Sequence, residues 1–247
     1  MVYGDGVTGN VTRNPPLNFS LPGSPALWAG SVTKRVVCVR NYWNRRFGNE
    51  GRIWGECPSR TVVRAAALFR QYGVQKILVP GAGYGRHTDY FAAGGFTVHG
   101  IEISDVAVGL AARGGEWVTY YRGSILDMPF SDDCYDALYC FNVLHLFRAT
   151  DRHDFIGKCA DQLRPGGVVY FTVFSEKEPT YGKGEKVEEG TYESKPGRPV
   201  HYFTETDLRD HFAGFEFLET GLAEDQEDHG QEGLHTHLLR TVTARKA

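Results

Sequence analysis

Three glycines and one glutamate carry the clearest chemical signal in this 247-residue sequence. Gly81, Gly83 and Gly85 follow a short apolar run at residues 77–79, and Glu102 stands 21 positions after Gly81. Glycines where a strand turns into a helix permit unusual φ angles and let a ligand approach the backbone. An acidic side chain roughly 20 residues further on, at the tip of the next strand, can accept both hydrogen bonds of a ribose diol. The pattern therefore predicts a site for a nucleoside-bearing cofactor.

The spacing of the glycines bears on the identity of that cofactor. A dinucleotide site normally has the pattern G-x-G-x-x-G, with the pyrophosphate at the N-terminus of the helix. This sequence has G-x-G-x-G, and the tighter spacing favours S-adenosylmethionine. The alternative at this point is an ordinary connection in an α/β protein, because a glycine motif alone is weak evidence.

The segment LVPGAGYG (78–85), followed by GIEIS (100–104), resembles the first motif and the ribose-binding acid of class I methyltransferases. More narrowly, it is similar to the thiopurine, thiol and halide methyltransferases and to the tellurite-resistance methyltransferases. Most class I enzymes have an acidic residue two places before the first glycine, whereas Val79 and Pro80 occupy that region here, as in the thiopurine and halide branch. SILDM (124–128) resembles the adenine slot of thiopurine enzymes, and RPGG (164–167) the turn before their fifth strand.

The resemblance implies cofactor contacts in an N-terminal aromatic lid, in the glycine turn, and after the second, third and fourth strands. The implied cofactor-binding residues are Trp43, Arg46, Trp54, Gly81, Ala82, Gly83, Gly85, Arg86, Glu102, Ile103, Ser124, Ile125, Asp127, Phe141 and Asn142. Aromatic rings suit a lid over a sulfonium and an adenine, because both gain from π faces. The alternative for the lid aromatics is that they anchor an N-terminal arm to the core.

Three residues are candidates for catalysis: His145, Asn142 and Tyr192. Methyl transfer is an in-line displacement, for which the protein supplies alignment, exclusion of water and, when needed, proton removal. His145 follows the fourth predicted strand and could act as a general base or position the substrate, although a histidine packed in a loop is the alternative. Asn142 could orient the substrate or a cofactor carbonyl, but it lacks the N-P-P-Y context of amino-group nucleic-acid methyltransferases.

Tyr192 lies in a polar segment at residues 175–200, which is too long for a plain connection. With Tyr181 it is predicted to form part of a substrate cover, and the alternative is a solvated loop. The segment 219–237 is rich in acidic residues and contains His229, His235 and His237. A divalent metal is conceivable there, but surface histidines with acidic neighbours usually bind nothing specific, and we predict no metal site.

The secondary structure predicted around these residues alternates between strand and helix. Apolar runs predict strands at residues 77–79, in the segment that ends at Glu102, at 116–121 and at 135–141, and a turn and fifth strand at 163–174. Ser59, Ser104 and Thr204 are predicted at the starts of helices. Two further strands, at 215–221 and 234–244, end the chain. The predicted fold is α/β: a doubly wound, mostly parallel seven-stranded sheet of the Rossmann-like methyltransferase type with a C-terminal antiparallel hairpin.

The chain is predicted to comprise an N-terminal arm at residues 1–40 and a methyltransferase domain at 41–247. This domain includes a cofactor lid at 41–57 and a substrate-side insertion at 175–200. A formal charge of −3 and the absence of a Lys/Arg stripe argue against nucleic acid, and no apolar run approaches the roughly 18 residues that a membrane span needs. Five scattered cysteines indicate free thiols in a reducing, cytoplasmic compartment.

The sequence thus predicts a methyltransferase that uses S-adenosyl-L-methionine to methylate a sulfur, oxygen or nitrogen atom of a small-molecule substrate. Two alternatives from other classes are an NAD(P)-dependent oxidoreductase and a non-catalytic module that binds S-adenosylmethionine. The terminal hairpin counts against the oxidoreductase, because it is not typical of a dinucleotide-binding sheet. The sequence leaves the oligomeric state open.

Overall fold

A computed structural model describes residues 34–111, 117–128, 134–228 and 233–247, and all structural statements below concern these residues. Residues 1–33, most of the predicted N-terminal arm, lie outside them. The boundary predicted at residue 40 falls inside the first helix, which begins at Lys34.

Six α-helices and ten strands make up the described part of the chain. The helices are α1 Lys34–Glu50, α2 Arg60–Gln71, α3 Arg86–Ala93, α4 Asp105–Leu110, α5 Ala149–Gln162 and α6 Glu205–His211. The strands are β1 Lys76–Pro80, β2 Thr97–Glu102, β3 Val118–Arg122, β4 Tyr135–Phe141, β5 Leu163–Phe174, β6 Glu185–Glu188, β7 Thr191–Lys195, β8 Arg198–His201, β9 Phe215–Asp228 and β10 Leu234–Lys246. None of these helices is both long and apolar enough to cross a membrane.

The main sheet has seven strands in the order β3-β2-β1-β4-β5-β10-β9. Strands β1 to β5 pair in parallel, and β10 pairs antiparallel with both β5 and β9. The strand order reverses between β1 and β4, and in open α/β sheets ligands bind beyond the carboxyl ends of the strands at such a reversal. The predicted fold class is therefore confirmed, including the terminal hairpin.

Local signals explain where these elements begin. Strand β1 is buried along its apolar run, as expected for a central strand covered on both faces. Side-chain oxygens of Ser59, Ser104 and Thr204 accept hydrogen bonds from backbone N–H groups in the first turns of α2, α4 and α6, and the predicted caps are thereby confirmed. The RPGG segment (164–167) forms a bulge within β5, between the residues that pair with Tyr135 and Ala137.

Each face of the sheet has its own hydrophobic core. Phe69 of α2 and Phe91 of α3 pack on one face with Tyr139 and Tyr170. On the other face, Phe171 packs with Phe155 of α5 and with Phe212, the residue after α6. The two cores thus cover both faces of the sheet, and polar side chains lie at its carboxyl edge.

The polar segment at residues 175–200 does not stay irregular. It contains β6 and β7, which form a three-stranded antiparallel sheet with β8. Glu188 and Glu193 attach this small sheet to the beginning of α5: the Glu188 carboxylate accepts from the Ala149 N–H at 3.0 Å, and Arg148 forms an ion pair with Glu193 at 2.8 Å. The insertion is therefore an ordered subdomain on the carboxyl edge of the main sheet.

Replacing Phe171 by alanine should lower the free energy of unfolding by about 3–5 kcal/mol, because it empties a fully buried position between β5, α5 and α6. Urea denaturation followed by circular dichroism measures the change. Val63→Ala is the matched control on an exposed position of α2, 49% accessible, and should stay within about 0.5 kcal/mol of the parent. Equal losses in the two variants would contradict the assignment of this core.

Candidate active site

The glycine turn joins β1 to α3, and all three glycines have positive φ. The φ angles are 69° at Gly81, 58° at Gly83 and 95° at Gly85, which side-chain-bearing residues rarely adopt. The Gly81 and Ala82 N–H groups donate to the Ile101 carbonyl at 2.8 and 3.0 Å. These bonds hold the turn against the end of β2.

The three glycines differ in the room that each would leave for a side chain. A Cβ on Gly81 would lie 2.4 Å from a methyl of Val143, and a Cβ on Gly85 would lie 2.7 Å from the Tyr120 hydroxyl. A Cβ on Gly83 would meet nothing within 4 Å. Gly81 and Gly85 are therefore required for packing, whereas Gly83 presents its backbone to open space where a ligand can approach.

The Glu102 side chain, only 6% exposed, reaches back from the end of β2 to this turn. Its Oε2 accepts from the Gly83 N–H and its Oε1 from the Ser104 N–H, both at 2.8 Å. Burial raises the pKa of Glu102, and these backbone hydrogen bonds oppose that rise. A carboxylate offers about four lone-pair positions, so positions remain that can accept the hydroxyl groups of a ribose. The residues present therefore fit the predicted cofactor.

The segment predicted as the adenine slot lies directly beside Glu102. The Gly123 N–H donates to the Glu102 carbonyl at 3.0 Å, and the chain then makes a 3₁₀ turn at Ile125–Asp127. Ser124 caps this turn by accepting from the Leu126 N–H, Ile125 is buried and Asp127 is exposed. Predicted cofactor residues after β2 and β3 are thus neighbours in the fold.

Aromatic residues of α1 and of the loop after it pack on the glycine turn. Tyr84, within the turn, stacks on Trp54 with ring centroids 6.1 Å apart, and its hydroxyl donates to the Gly55 carbonyl. Trp43 packs at 6.1 Å from Trp54, and the Arg46 guanidinium lies 5.8 and 5.6 Å from these two rings. The predicted lid therefore lies against the predicted cofactor site, and its contact with a cofactor stays a prediction.

Asn44 connects the lid by a hydrogen bond to the turn that begins α4, a role that the sequence did not predict. Its Oδ1 accepts from the Ser104 hydroxyl at 2.7 Å, while Arg52 donates to the Leu110 carbonyl at 2.8 Å. Both partners belong to the start and end of α4, which follows Glu102. The position of the lid is thus coupled to the position of that carboxylate.

Arg86, a predicted cofactor residue, uses its guanidinium for contacts within the protein. The side chain is buried, donates to the Trp54 carbonyl at 3.0 Å and forms an ion pair with Glu227 of β9. The guanidinium also lies 5.4 Å from the ring of Phe141 at the end of β4. Its evident role is to join the lid, the glycine-turn helix and the terminal hairpin.

Asn142 follows β4 and has a strained backbone. Its φ is 55°, and among the described residues no other non-glycine residue has a positive φ. The Thr172 hydroxyl donates to its side-chain oxygen at 2.9 Å, and its N–H donates to the Thr172 carbonyl at 3.1 Å. Strained backbones cluster at functional sites, and the role of Asn142 near the reaction centre stays a prediction.

His145 lies on the 3₁₀ turn after β4, only 3% exposed. Its ring stacks on Phe174 at 4.1 Å, and its Nδ1 has no hydrogen-bond partner among the described residues. Burial lowers the pKa of His145 to about 3, helped by the charges of His237 and His201. A general base works best with a pKa near the working pH, so positioning of a substrate fits His145 better than proton removal.

Tyr192 belongs to a tyrosine cluster in the insertion. Its ring lies 5.4 Å from Tyr181 and 6.2 Å from Tyr202, whose ring in turn lies 6.1 Å from Phe174. The cluster is therefore linked through Phe174 to His145.

The insertion also contacts the lid. The Arg198 guanidinium of β8 lies 4.2 Å from the ring of Tyr42 on α1.

The histidine-rich hairpin is ordered as strand, with His237 of β10 opposite Asp225 of β9. No group of three His, Cys, Asp or Glu residues in the described ranges is arranged to hold a metal ion, and His229 lies outside these ranges. Instead, the His237 Nδ1 lies 2.9 Å from an oxygen of Glu178. Sequence reasoning missed Glu178, and no local pattern marks it.

Comparisons with known proteins agree with this geometry. Residues 78–171 match the family model described as a methyltransferase domain. Over 94 residues the chain is 32% identical to an uncharacterized methyltransferase of Synechocystis, covering 38% of this chain and 44% of that protein. Over 232 residues it is 27% identical to a probable S-adenosylmethionine-dependent methyltransferase of Mycolicibacterium smegmatis, covering 90% of this chain and 80% of that protein. The match therefore spans less than half of the first relative's length.

Solved structures show the same fold. One of them is 1,6-didemethyltoxoflavin-N1-methyltransferase from Burkholderia thailandensis, solved with 1,6-didemethyltoxoflavin and S-adenosylhomocysteine. It superposes with a TM-score of 0.63 at 23% identity, covering 85% of this chain and 88% of that one.

The seven-stranded sheet, the glycine turn and the buried acid have the arrangement that the sequence predicts for a class I S-adenosylmethionine-dependent methyltransferase. Residues 78–171 thus match a methyltransferase domain, and the glycine turn and Glu102 fit S-adenosylmethionine as the cofactor. The comparisons support this interpretation and not the NAD(P)-dependent oxidoreductase alternative.

Gly83→Ala should weaken binding of S-adenosylhomocysteine at least tenfold, because the new methyl group would project into the space where the backbone faces the ligand. The strain at positive φ should cost about 1–2 kcal/mol of stability. Calorimetric titration measures the affinity. Gly81→Ala is the matched variant: its Cβ would collide with Val143, so it should lose more stability than Gly83→Ala. Unchanged affinity in Gly83→Ala would contradict the placement of the site.

Proposed function

We propose that this protein transfers a methyl group from S-adenosylmethionine to a nucleophilic sulfur, oxygen or nitrogen atom of a small molecule. The observation that carries the proposal is the Glu102 carboxylate held against the Gly83 N–H, where the strand order reverses and the backbone is open. When bound, the cofactor supplies an electrophilic methyl group. The residues of the chain bind it, orient the acceptor and exclude water.

The lid (41–57) and the insertion (175–200) both lie over the carboxyl edge of the sheet, and this arrangement supports a small acceptor. The lid and the insertion meet at Tyr42 and Arg198, and the tyrosine cluster extends from the insertion to Phe174. A covered, aromatic-walled edge suits a compact ligand better than a polymer. The fold is shared with a methyltransferase that was solved with a small molecule, 1,6-didemethyltoxoflavin, bound.

A cytoplasmic location belongs to the same proposal. All five cysteines are free thiols, and Cys38, Cys57 and Cys134 are exposed. Exposed free thiols are typical of a reducing compartment.

The test of the proposed function is a screen with radiolabelled methyl donor against thiols, phenols, amines, N-heterocycles and halides. Calorimetric titration with S-adenosylhomocysteine and with NADH accompanies it. We expect S-adenosylhomocysteine to bind, NADH not to bind, and at least one acceptor to be methylated. Binding without turnover of any acceptor would instead indicate the non-catalytic module.

Glu102→Gln should weaken S-adenosylhomocysteine binding about 10- to 100-fold. The glutamine has one acceptor oxygen in place of two, and its amide group would face backbone N–H donors. The exposed Glu189→Gln in the insertion is the control and should bind as the parent does. Calorimetry measures both, and parent-like affinity in Glu102→Gln would remove this carboxylate from the cofactor site.

Tyr192→Ala should raise the KM for the acceptor about tenfold and leave the affinity for S-adenosylhomocysteine unchanged, because its ring contacts the tyrosine cluster and not the glycine turn. Tyr192→Phe keeps the ring and should retain most of the acceptor affinity. Steady-state kinetics on an acceptor from the screen decides the point. If KM stays the same in both variants, Tyr192 lies outside the acceptor site.

A further inference from the structure

Asn142 lies at the carboxyl edge of the main sheet, beside the place where the strand order reverses. It follows β4, which pairs with β1, and the next residue, Val143, packs against Gly81 of the glycine turn. Asn142 itself is half-buried, which leaves part of the residue accessible to a ligand. Its side chain therefore belongs to the region where this kind of sheet binds ligands.

Thr172 of β5 holds both the backbone and the side chain of Asn142. The Thr172 Oγ1 accepts from the Asn142 backbone N–H at 3.1 Å and donates to the Asn142 Oδ1 at 2.9 Å. The same N–H also donates to the Thr172 carbonyl at 3.1 Å. These bonds fix a residue whose φ of 55° persists only where its surroundings determine it.

The hydroxyl proton of Thr172 decides which way the Asn142 amide is turned. Thr172 is fully buried, and in the described part of the chain Asn142 is the only hydrogen-bond partner of its hydroxyl. With the amide reversed, that buried proton would lose its acceptor, which is costly. The side-chain oxygen of Asn142 therefore faces Thr172.

The opposite end of the Asn142 amide is free for a ligand. The amide nitrogen carries two N–H donors, and neither has a hydrogen-bond partner among the residues that the structure describes. Because the oxygen is turned to Thr172, the nitrogen is turned away from it. Asn142 thus presents donors, and not an acceptor, to a molecule that binds at this edge.

We propose that the Asn142 amide, positioned by Thr172, donates a hydrogen bond to the reacting atom of the methyl acceptor, and that this atom is the ionised oxygen of a phenol or an enol. This inference rests on the proposed function. The hydroxyl group of the acceptor loses its proton to solvent before it binds. One lone pair of the oxygen then accepts from Asn142, and a second forms the bond to the methyl carbon. The electron pair of the broken carbon–sulfur bond stays on sulfur, and the products are a methyl ether and S-adenosylhomocysteine.

The number of lone pairs on the reacting atom explains the preference for oxygen. A neutral amine has one lone pair, which cannot both accept from Asn142 and attack the methyl group. Sulfur has the lone pairs but is a weak hydrogen-bond acceptor, whereas a charged oxygen is a strong one. Burial lowers the pKa of His145, three residues further on, to about 3. That imidazole is a weak base, and an acceptor that binds already ionised needs none.

The first arm of the test is NMR of the full-length protein with S-adenosylhomocysteine bound. We expect both Nδ2 protons of Asn142 to exchange rapidly with water, and the buried Thr172 hydroxyl proton to give a protected signal. A protected Nδ2 proton would show that the amide is reversed or bound to the cofactor product, and it would overturn the inference. This arm requires no knowledge of the acceptor.

The second arm is kinetic. It adds 4-nitrophenol, 4-nitrothiophenol, 4-nitroaniline and a cyclic 1,3-diketone to the acceptor screen, so that oxygen, sulfur and nitrogen are compared on one ring. We expect methylation of a phenol or of the enol. Methylation of thiols or amines with none of phenols and enols would refute the inference.

Variants of Thr172 test its role on the phenol or enol that is methylated. Thr172→Val keeps the shape but removes the hydroxyl, so it should raise the KM for this acceptor about tenfold and leave the affinity for S-adenosylhomocysteine unchanged. Thr172→Ser restores the hydroxyl and should recover the KM of the parent. Thr243→Val, at a buried position of β10, is the matched control and should behave as the parent. A parent-like KM in Thr172→Val would remove Thr172 from the positioning of the acceptor.

Failure of the proposed function gives a different result. In that case S-adenosylhomocysteine does not bind, or no acceptor of any kind is methylated. If thiols or amines alone are methylated, the proposed function holds and only the inference about Asn142 fails. The NMR arm, run without ligand where none binds, decides the orientation of the Asn142 amide in either case.

Discussion

The buried carboxylate of Glu102 fixes the geometry on which the site depends. Removing an ionised carboxylate from water is costly unless hydrogen bonds replace the lost hydration. Here the Gly83 and Ser104 N–H groups supply two such bonds, and each belongs to the turn that begins a helix, α3 or α4. One side chain therefore sets both turns relative to the end of β2. Hydrogen bonds within the protein hold the carboxylate and the glycine turn in place, which lowers the ordering cost of binding a ligand.

The fold could be predicted from the sequence to the extent that its signals are local. The bounds predicted for the fourth and fifth strands are those observed, and Ser59, Ser104 and Thr204 cap helices as expected. The acidic residues after Gly221 suggest a loop, and the sequence therefore predicts that the strand ends at Gly221. In the structure, β9 continues to Asp228. Asp225 and Glu227 are in fact buried, and their partners, Ser59 and Arg86, stand more than 140 positions earlier in the chain. The local pattern of hydrophobic residues cannot indicate contacts between residues so far apart in the sequence.

The residues of the candidate site also fall into two groups, those that a local motif predicts and those whose role only the structure shows. The glycine turn, Glu102 and the Ser124 turn form a local motif, and the structure brings them together. Arg86 is different, because its position in the motif suggested a ligand contact while its guanidinium bonds to the Trp54 carbonyl and to Glu227. From its position alone, His145 is predicted to be a general base or a substrate-positioning group. Only the structure shows that burial lowers its pKa to about 3.

The excess of negative charge under the hairpin explains why His237 differs from His145. Glu178, Asp225 and Glu227 are all buried, and Arg86 forms an ion pair with Glu227. In a medium of low dielectric this excess favours any group that takes up a proton. Burial and the charge of Glu227 raise the pKa of Asp225, and the carboxylates raise that of His237. At His145, which also stacks on Phe174, burial lowers the pKa, and the charges of His237 and His201 lower it further. The pKa values of the two imidazoles stacked on Phe174 therefore shift in opposite directions, because carboxylates outweigh the effect of burial at His237, whereas neighbouring imidazoles add to that effect at His145.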